Sequence, residues 1–178
     1  MSLQMRLVHF CMGLVPPLLH SETVTEQVAL HAPQPHPMPA SMRGRFTATC
    51  EKGVTRVFPK RGLRSGGALI YLHGGAYVYP MVVGQWGIVE GLIDRTGLPV
   101  IIPDYPLAPK HTVTEAFDFV QPIIDEAQAE FGRVVIFGDS AGGGLALSLA
   151  MQRRDADKRQ VDGLVLYAPW VDVTMTNP

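Results

Sequence analysis

The chain has 178 residues, of which 47% are hydrophobic and 17% are charged, and its formal net charge is -1. This length fits one globular domain, and the near-neutral charge balance excludes the strongly basic surface typical of nucleic-acid binding. The two cysteines, Cys11 and Cys50, are too few for the disulfide framework of a small secreted domain. We therefore expect free thiols and a cytoplasmic protein without a nucleic-acid partner.

The first 44 residues differ in character from the rest of the chain. Residues 7–19 are apolar but too short to span a bilayer, and no small-residue cleavage site of a signal peptide follows them. We expect a helix there, packed on the protein body or over its binding site, and no membrane span. Residues 31–44 are rich in proline, which predicts an extended connector. Because His31 and His36 have no cysteine or carboxylate cluster beside them, we expect no metal site there and no cofactor. The core of the fold is predicted to cover residues 45–178.

Beyond the connector, apolar runs alternate with segments of helical periodicity. Two stretches parted by Gly53 are typical of antiparallel edge strands: residues 45–51 and 54–59. Four continuous apolar runs predict strands buried on both faces: residues 68–72, 98–103, 133–137 and 163–167. Helices are predicted for the segments that follow the first three runs, over residues 83–96, 114–131 and 145–153. Pro122 is expected to introduce a kink in the second of these helices. This alternation predicts an α/β fold with a mostly parallel sheet flanked by helices, whose binding site lies beyond the carboxyl ends of the strands.

The stretch "GDSAGGG", residues 138–144, follows the third of these runs and precedes a helix. A Gly-x-Ser-x-Gly pattern in that position is typical of a nucleophile elbow, a sharp turn that exposes the serine hydroxyl. Gly138 and Gly142 are expected to allow the close approach of strand and helix, and the helix N-terminus favours negative charge beside Ser140. A phosphate-binding turn is the alternative, but the stretch lacks both glycine fingerprints of such loops.

The loop that follows the first run, "HGGA" at residues 73–76, has the small residues that let backbone amides point into a cavity. Together with the amide of Ala141, those of Gly75 and Ala76 are predicted to form an oxyanion hole. The base that would activate Ser140 is harder to place, because all six histidines precede it: His9, His20, His31, His36, His73 and His111. We expect His73 to hold the loop rather than act as a base, and His111 to lie in a surface loop.

Four blocks of the chain, in order, resemble the motifs of the hormone-sensitive-lipase-like carboxylesterases of the α/β-hydrolase fold. They are "HGGAYVYP", "DYPLAPKHTVTEAFDF", "GDSAGGGLALSLA" and "LVLYAPWVDVT". The resemblance implies that Ser140 is the nucleophile and that Gly74 shapes a loop whose Gly75 and Ala76 amides, with the amide of Ala141, bind the oxyanion. It gives Asp104 and Asp139 framework roles. The chain departs from the family's pattern by having Ala76 in place of a third glycine, Pro106 in place of an arginine and Lys110 in place of a glutamate.

In that family the acid and the histidine of the triad follow later strands. Asp172 is the only carboxylate in the corresponding region, and its motif is more typical of a structural segment, so it is a disfavoured candidate for the acid. We therefore expect an incomplete core, with the triad Asp and His beyond Pro178, and little or no activity from the chain alone. The favoured function is a serine hydrolase for carboxylic esters of small or medium acyl groups. The alternative is a small-molecule-binding protein on the same scaffold, and homo-oligomerisation is left open.

Overall fold

The computed structural model describes residues 34–174. The helix expected over residues 7–19, together with Cys11, His9, His20 and His31, lies outside the described residues. In the connector, the extended prediction is wrong over Ala40–Met42, which form a short 3-10 helix whose Met42 is buried. The predicted boundary at residue 44 stays a prediction.

A six-stranded sheet forms the centre of the described part. Its strands are β1 (Phe46–Glu51), β2 (Val54–Pro59), β3 (Ala68–Leu72), β4 (Val100–Pro103), β5 (Val134–Asp139) and β6 (Gly163–Tyr167). They lie in the order β1-β2-β4-β3-β5-β6, in which β1 and β2 are antiparallel to their neighbours and the other four are mutually parallel. The predicted α/β class, with a mostly parallel sheet and antiparallel edge strands at its start, is confirmed.

Three helices connect the parallel strands: α1 (Trp86–Thr96), α2 (Val113–Phe131) and α3 (Ala141–Asp155). A 3-10 turn, Val83–Gln85, leads directly into α1, and Gly97 ends α1 in the left-handed conformation with φ 68°. α2 continues through Pro122 without a break in the helix. The prediction that the third helix starts at Leu145 is wrong: α3 starts at Ala141 and includes all three glycines of the serine turn. None of the helices within residues 34–174 is long and apolar enough to cross a membrane.

Two hydrophobic cores cover the two faces of the sheet, because successive side chains of a strand point to opposite faces. Ala68, Ile70 and Leu72 of β3 pack in the core that contains α2 and α3. Leu69 and Tyr71 of the same strand pack in the core that contains α1. All five residues are buried, as predicted for this run. This packing holds the carboxyl ends of β3 and β5 side by side.

The prediction that the last apolar run is buried on both faces is wrong. β6 is the edge strand next to β5, and Val165 and Tyr167 are 48% and 66% exposed. Leu164 and Leu166, which alternate with them, pack against the core of α2 and α3. The difference arises because, among the described residues, no helix covers the other face of β6.

Candidate active site

Ser140 occupies the tight turn between β5 and α3. Its φ of 50° and ψ of -118° place a non-glycine residue in a sparsely populated region of backbone space. The turn is held by its neighbours, because the Ser140 amide donates to the Tyr167 carbonyl at 3.0 Å and the Ser140 carbonyl accepts from the Trp170 amide at 2.8 Å. The backbone strain is thus sustained by β6 and the loop after it.

The glycines around Ser140 are required by close backbone contacts. A Cβ atom on Gly142 would overlap the carbonyl oxygens of Leu72 and His73, and one on Gly138 would overlap the carbonyl of Gly142. A Cβ atom on Gly144 would overlap the carbonyl oxygen of Trp170. The glycines therefore let α3 start immediately after Ser140 and directly against the end of β3.

The loop of residues 73–76 lies against this turn. A Cβ atom on Gly74 would be 3.0 Å from the Asp139 carbonyl oxygen and 3.1 Å from the Ser140 Cβ atom, so Gly74 packs directly against the serine turn. Gly75 has a φ of 141°, where a side chain would collide with the Tyr79 carbonyl, and Ala76 has a φ of 53°. The carbonyl of Gly75 accepts hydrogen bonds from the amides of Val78 and Tyr79 at 3.0 and 2.8 Å. These contacts hold a tight turn whose two central residues, Ala76 and Tyr77, both have positive φ, 53° and 61°.

Three backbone amides, two in the loop of residues 73–76 and one at the start of α3, have no acceptor among the described residues. Within residues 34–174, the amides of Gly75, Ala76 and Ala141 donate no hydrogen bond to another protein group. The Ser140 Oγ atom likewise makes no hydrogen bond to a described residue. Such amides, with the positive end of the α3 dipole, can stabilise an oxygen that becomes negatively charged. The loop that carries Gly75 and Ala76 therefore packs against the Ser140 turn through Gly74, and Ala141 directly follows Ser140 at the start of α3.

The carboxylate of Asp139 joins the loop to the serine turn. Its Oδ1 atom accepts hydrogen bonds from the Tyr71 hydroxyl at 2.7 Å and from the Gly74 amide at 2.9 Å. Its Oδ2 atom accepts from the Gln85 Nε2 group at 3.3 Å. Burial, and then the bond to Asp139, raise the pKa of Tyr71, so its hydroxyl remains a donor at physiological pH. Sequence reasoning gave Asp139 a framework role but missed its two side-chain donors.

His73 is buried and holds the loop rather than facing the serine. Its Nδ1 atom donates to the Gly74 carbonyl at 2.8 Å, its ring stacks on Tyr105 with centroids 4.6 Å apart, and its carbonyl accepts from the Tyr105 hydroxyl at 2.6 Å. Burial lowers the pKa of His73 despite the opposing effects of the Gly74 bond and of Asp104 and Asp139, so the ring is neutral at physiological pH. This arrangement agrees with the holding role expected from the sequence.

The other described histidines and Asp172 have partners elsewhere. His111 lies in a loop, where its Nδ1 atom is 3.1 Å from Glu115 Oε1, and the His36 amide donates to the Met81 carbonyl. The Asp172 Oδ1 atom accepts hydrogen bonds from the amide and hydroxyl of Thr174 at 2.9 and 2.5 Å. No hydrogen bond joins any of these three side chains to Ser140. Over residues 34–174, no cluster of three His, Cys, Asp or Glu side chains has the arrangement that a metal ion needs.

An apolar cleft of about 500 Å³ adjoins the serine turn. Its lining includes Gly144, one helical turn beyond Ser140, and the rings of Tyr77 and Trp170, which contact each other with centroids 5.8 Å apart. Its walls are mainly apolar, and include Pro106, Ala108, Val113, Leu147, Met151, Val171 and Val173. The cleft offers an apolar surface that reaches α3 one helical turn beyond Ser140.

Comparison with known proteins identifies the family to which this fold and site belong. A family model described as alpha/beta hydrolase fold matches residues 69–178, which is more than half of the chain. The chain belongs to this family. The carboxylesterase/phospholipase LipF of Mycobacterium tuberculosis is 38% identical over 132 residues, which are 70% of this chain and 35% of LipF. An esterase of Acinetobacter venetianus is 31% identical over 112 residues, which are 61% of this chain and 37% of that protein.

Solved structures agree with the fold. An esterase from the bacterial hormone-sensitive lipase family superimposes with a TM-score of 0.65 at 22% identity, over 79% of this chain and 48% of the other. These matches confirm the resemblance to esterases of the α/β-hydrolase fold. The chain spans less than half of the length of the curated relatives it matches.

Proposed function

We propose that the protein is a serine hydrolase that cleaves carboxylic esters through an acyl-enzyme on Ser140. The observation that carries this proposal is the strained Ser140 turn with the unpartnered amides of Gly75, Ala76 and Ala141 beside it. Relatives named esterase and carboxylesterase/phospholipase support the same reaction class. The substrate would be a small molecule with a small or medium acyl group, and the apolar cleft beside Gly144 is the surface we propose for its apolar part.

The proposed reaction has two halves. The Ser140 Oγ atom attacks the ester carbonyl carbon while its proton passes to a histidine, and the carbonyl oxygen becomes an oxyanion bound by the three amides. Collapse of this intermediate breaks the bond to the alcohol, which leaves with the proton from the histidine. Water then attacks the acyl-enzyme in the same way, releases the carboxylic acid and restores the Ser140 hydroxyl. Loss of a single oxyanion donor would slow such a reaction by about a hundredfold to a thousandfold.

In this proposal the proton acceptor is a histidine oriented by an aspartate, and both come from sequence beyond Pro178. Two observations support this placement. His36, His73 and His111 have no hydrogen bond to Ser140, and the matched relatives are more than twice as long as the part that this chain covers. Asp172 is the disfavoured acid, because its Oδ1 atom accepts two hydrogen bonds from Thr174.

The experiment that tests the proposal is Ser140→Ala in the full-length protein. Turnover of p-nitrophenyl esters from acetate to octanoate should fall by about a millionfold, because the members of a triad act as a unit. A fluorophosphonate probe should label wild-type protein at Ser140, as located by peptide mass spectrometry. Ser65→Ala, a change at an exposed serine in the loop before β3, is the matched control and should retain full turnover and labelling. Esterase activity that survives in Ser140→Ala would refute the proposal.

The alternative function is that of a small-molecule-binding protein that keeps the cleft and has lost the chemistry. The observation that favours it is the absence of a hydrogen-bond partner for Ser140 Oγ within residues 34–174. The same probe separates the two functions. Saturable binding of an ester or acid, without turnover and without labelling of Ser140 in the full-length wild type, would favour the binding protein.

A further inference from the structure

We infer that Gln85 is a positioning residue for the oxyanion hole, because it holds the Gly74 carbonyl and thereby directs the Gly75 amide toward the substrate oxygen. This inference rests on the proposed ester hydrolysis at Ser140. It assigns a role to a side chain outside the motifs that carry the nucleophile and the glycine loop. The side chain lies in the 3-10 turn Val83–Gln85, ahead of α1.

Both ends of the Gln85 side-chain amide are engaged. Its Nε2 group donates to the Gly74 carbonyl at 3.2 Å and to Asp139 Oδ2 at 3.3 Å. Its Oε1 atom accepts from the Val82 amide at 2.9 Å. A flipped side-chain amide would place an oxygen against the carbonyl and the carboxylate, so these three partners fix its orientation. Gln85 is therefore the link between the glycine loop, the residue before the nucleophile and the start of α1.

The position of Gln85 is itself well anchored. The next residue, Trp86, is buried, and its indole Nε1 group donates to the His36 carbonyl at 2.8 Å. Trp86 also packs in the core that joins α1 to the sheet. The backbone that carries Gln85 is consequently tied to the body of the protein, and its side chain can transmit that rigidity to the loop.

Planarity of the peptide bond connects the Gly74 carbonyl to catalysis. The Gly74 C=O and the Gly75 N–H belong to one peptide unit, and in a trans peptide they point in opposite directions. Whatever fixes the carbonyl therefore aims the amide. The φ of 141° at Gly75 lies in a region that glycine adopts freely, so the local backbone does not determine the orientation of this peptide. Two side-chain donors restrain it instead: His73 Nδ1, from the residue before Gly74, and Gln85 Nε2, from the turn ahead of α1.

Loss of the Gln85 donor would release one of these two restraints. A rotated peptide would turn the Gly75 amide away from the oxyanion, and a fully flipped one would present the Gly74 carbonyl to a developing negative charge. The cost would fall on the transition state, where the oxygen carries its charge, and little on the binding of a neutral ester. A change in kcat with little change in KM is the signature of this role.

The decisive variant is Gln85→Glu in the full-length enzyme. It keeps the shape of the side chain but replaces the Nε2 donor with an oxygen that faces the Gly74 carbonyl and Asp139. We expect kcat to fall by about ten- to hundredfold with a nearly unchanged KM. The ratio of variant to wild-type kcat should rise as the pH is lowered, because the protonated carboxyl group can donate again. Gln85→Ala, which removes the donor without adding charge, should lower kcat by less and show no such recovery.

Controls separate this role from a merely structural one. Gln160→Glu makes the same chemical change at an exposed glutamine whose Nε2 group donates to Lys158, and it should leave kcat and its pH profile unchanged. Circular dichroism and melting temperature establish that each Gln85 variant is folded during the assay.

The outcomes are distinct. A wild-type kcat in folded Gln85→Glu, a loss that appears in KM alone, or a loss without recovery at low pH would overturn the inference while inactive Ser140→Ala still supports the proposed function. Activity that survives in Ser140→Ala would instead remove the proposed function itself.

Discussion

The N-termini of α2 and α3 differ in how the first backbone amides of each helix are capped. α2 begins after Thr112, which has relaxed extended backbone angles, and the Glu115 carboxylate accepts hydrogen bonds from the amide and hydroxyl of Thr112 at 2.7 and 2.9 Å. α3 begins after Ser140, a residue type well suited to capping, yet its side chain makes no cap hydrogen bond and its φ is 50°. The N-terminus of α2 is capped by its own side chains, those of Thr112 and Glu115. At the N-terminus of α3, the Gly143 amide donates to the Ser140 carbonyl at 3.0 Å, and the Ala141 amide has no acceptor among the described residues.

The stability that α3 does not gain at its start is supplied at its other end. Arg153 is only 1% exposed, and its guanidinium group donates to the Gln121 and Gln128 side chains and to the Arg159 carbonyl, and pairs with Asp125 at 2.8 Å. These bonds tie the C-terminal turn of α3 to α2 and to the loop before β6. The strained start of α3 and its hydrogen-bonded C-terminal end are thus separate regions of the molecule.

The largest effect on stability is expected from Arg153→Ala. The change leaves Gln121, Gln128 and the Arg159 carbonyl without their donor in a buried region, and should lower the free energy of unfolding by about 3 kcal/mol. Chemical denaturation measures this loss. Arg154→Ala is the matched control, because Arg154 is exposed and its ion pair among residues 34–174 is with its neighbour Asp155. Its loss should lower the free energy of unfolding by less than about 0.5 kcal/mol. An equal effect of the two changes would mean that the buried network does not anchor α3.

The next largest expected effect is a gain in stability, and it results from a change at the start of α3. Ser140→Gly should raise the free energy of unfolding by up to about 1 kcal/mol, because glycine adopts a φ of 50° without strain. The same variant should have no esterase activity. Denaturation curves of Ser140→Gly and Ser140→Ala distinguish relief of backbone strain from loss of the hydroxyl, since alanine keeps the Cβ atom. If both variants have the stability of the wild type, the turn stores no strain.

The contrast between these regions explains which features the sequence could predict. The bounds of β3 and β6 and the Ser140 turn depend on local signals, namely a continuous apolar run and the spacing of Gly138, Ser140 and Gly142. The start of α3 differs from the prediction because three glycines disfavour a helix by propensity. Here Gly142 and Gly144 are required by carbonyl oxygens of distant residues, and Gly143 by close contact with Pro169.

Features that depend on contacts between distant parts of the chain leave a weak signal in the sequence or none. The exposure of Val165 follows from the absence of a covering helix among the described residues, and the burial of Arg153 follows from acceptors on α2. A tyrosine in a buried run, Tyr71, signals that its hydroxyl needs a partner, but nothing in the sequence identifies Asp139 as that partner. The sequence gives no signal for the role of Gln85, because the two acceptors of its Nε2 group are 11 and 54 residues away.

The smallest effect on stability is expected at the capped N-terminus of α2, and it depends on pH. The hydrogen bond from the Thr112 backbone, followed by those from the His111 and Thr112 side chains, lowers the pKa of Glu115 from 4.5 to about 2. Because the pKa in the folded state is depressed, the carboxylate contributes stability that is fully present above pH 4.5 and is lost as the pH falls through about 2. Wild type should therefore have a higher melting temperature than Glu115→Gln at neutral pH, and the difference should shrink below pH 4.5. A difference that is constant from pH 7 to pH 2.5 would show that the charge of Glu115 does not stabilise this helix start, and the contrast with Ser140 would then rest on backbone strain alone.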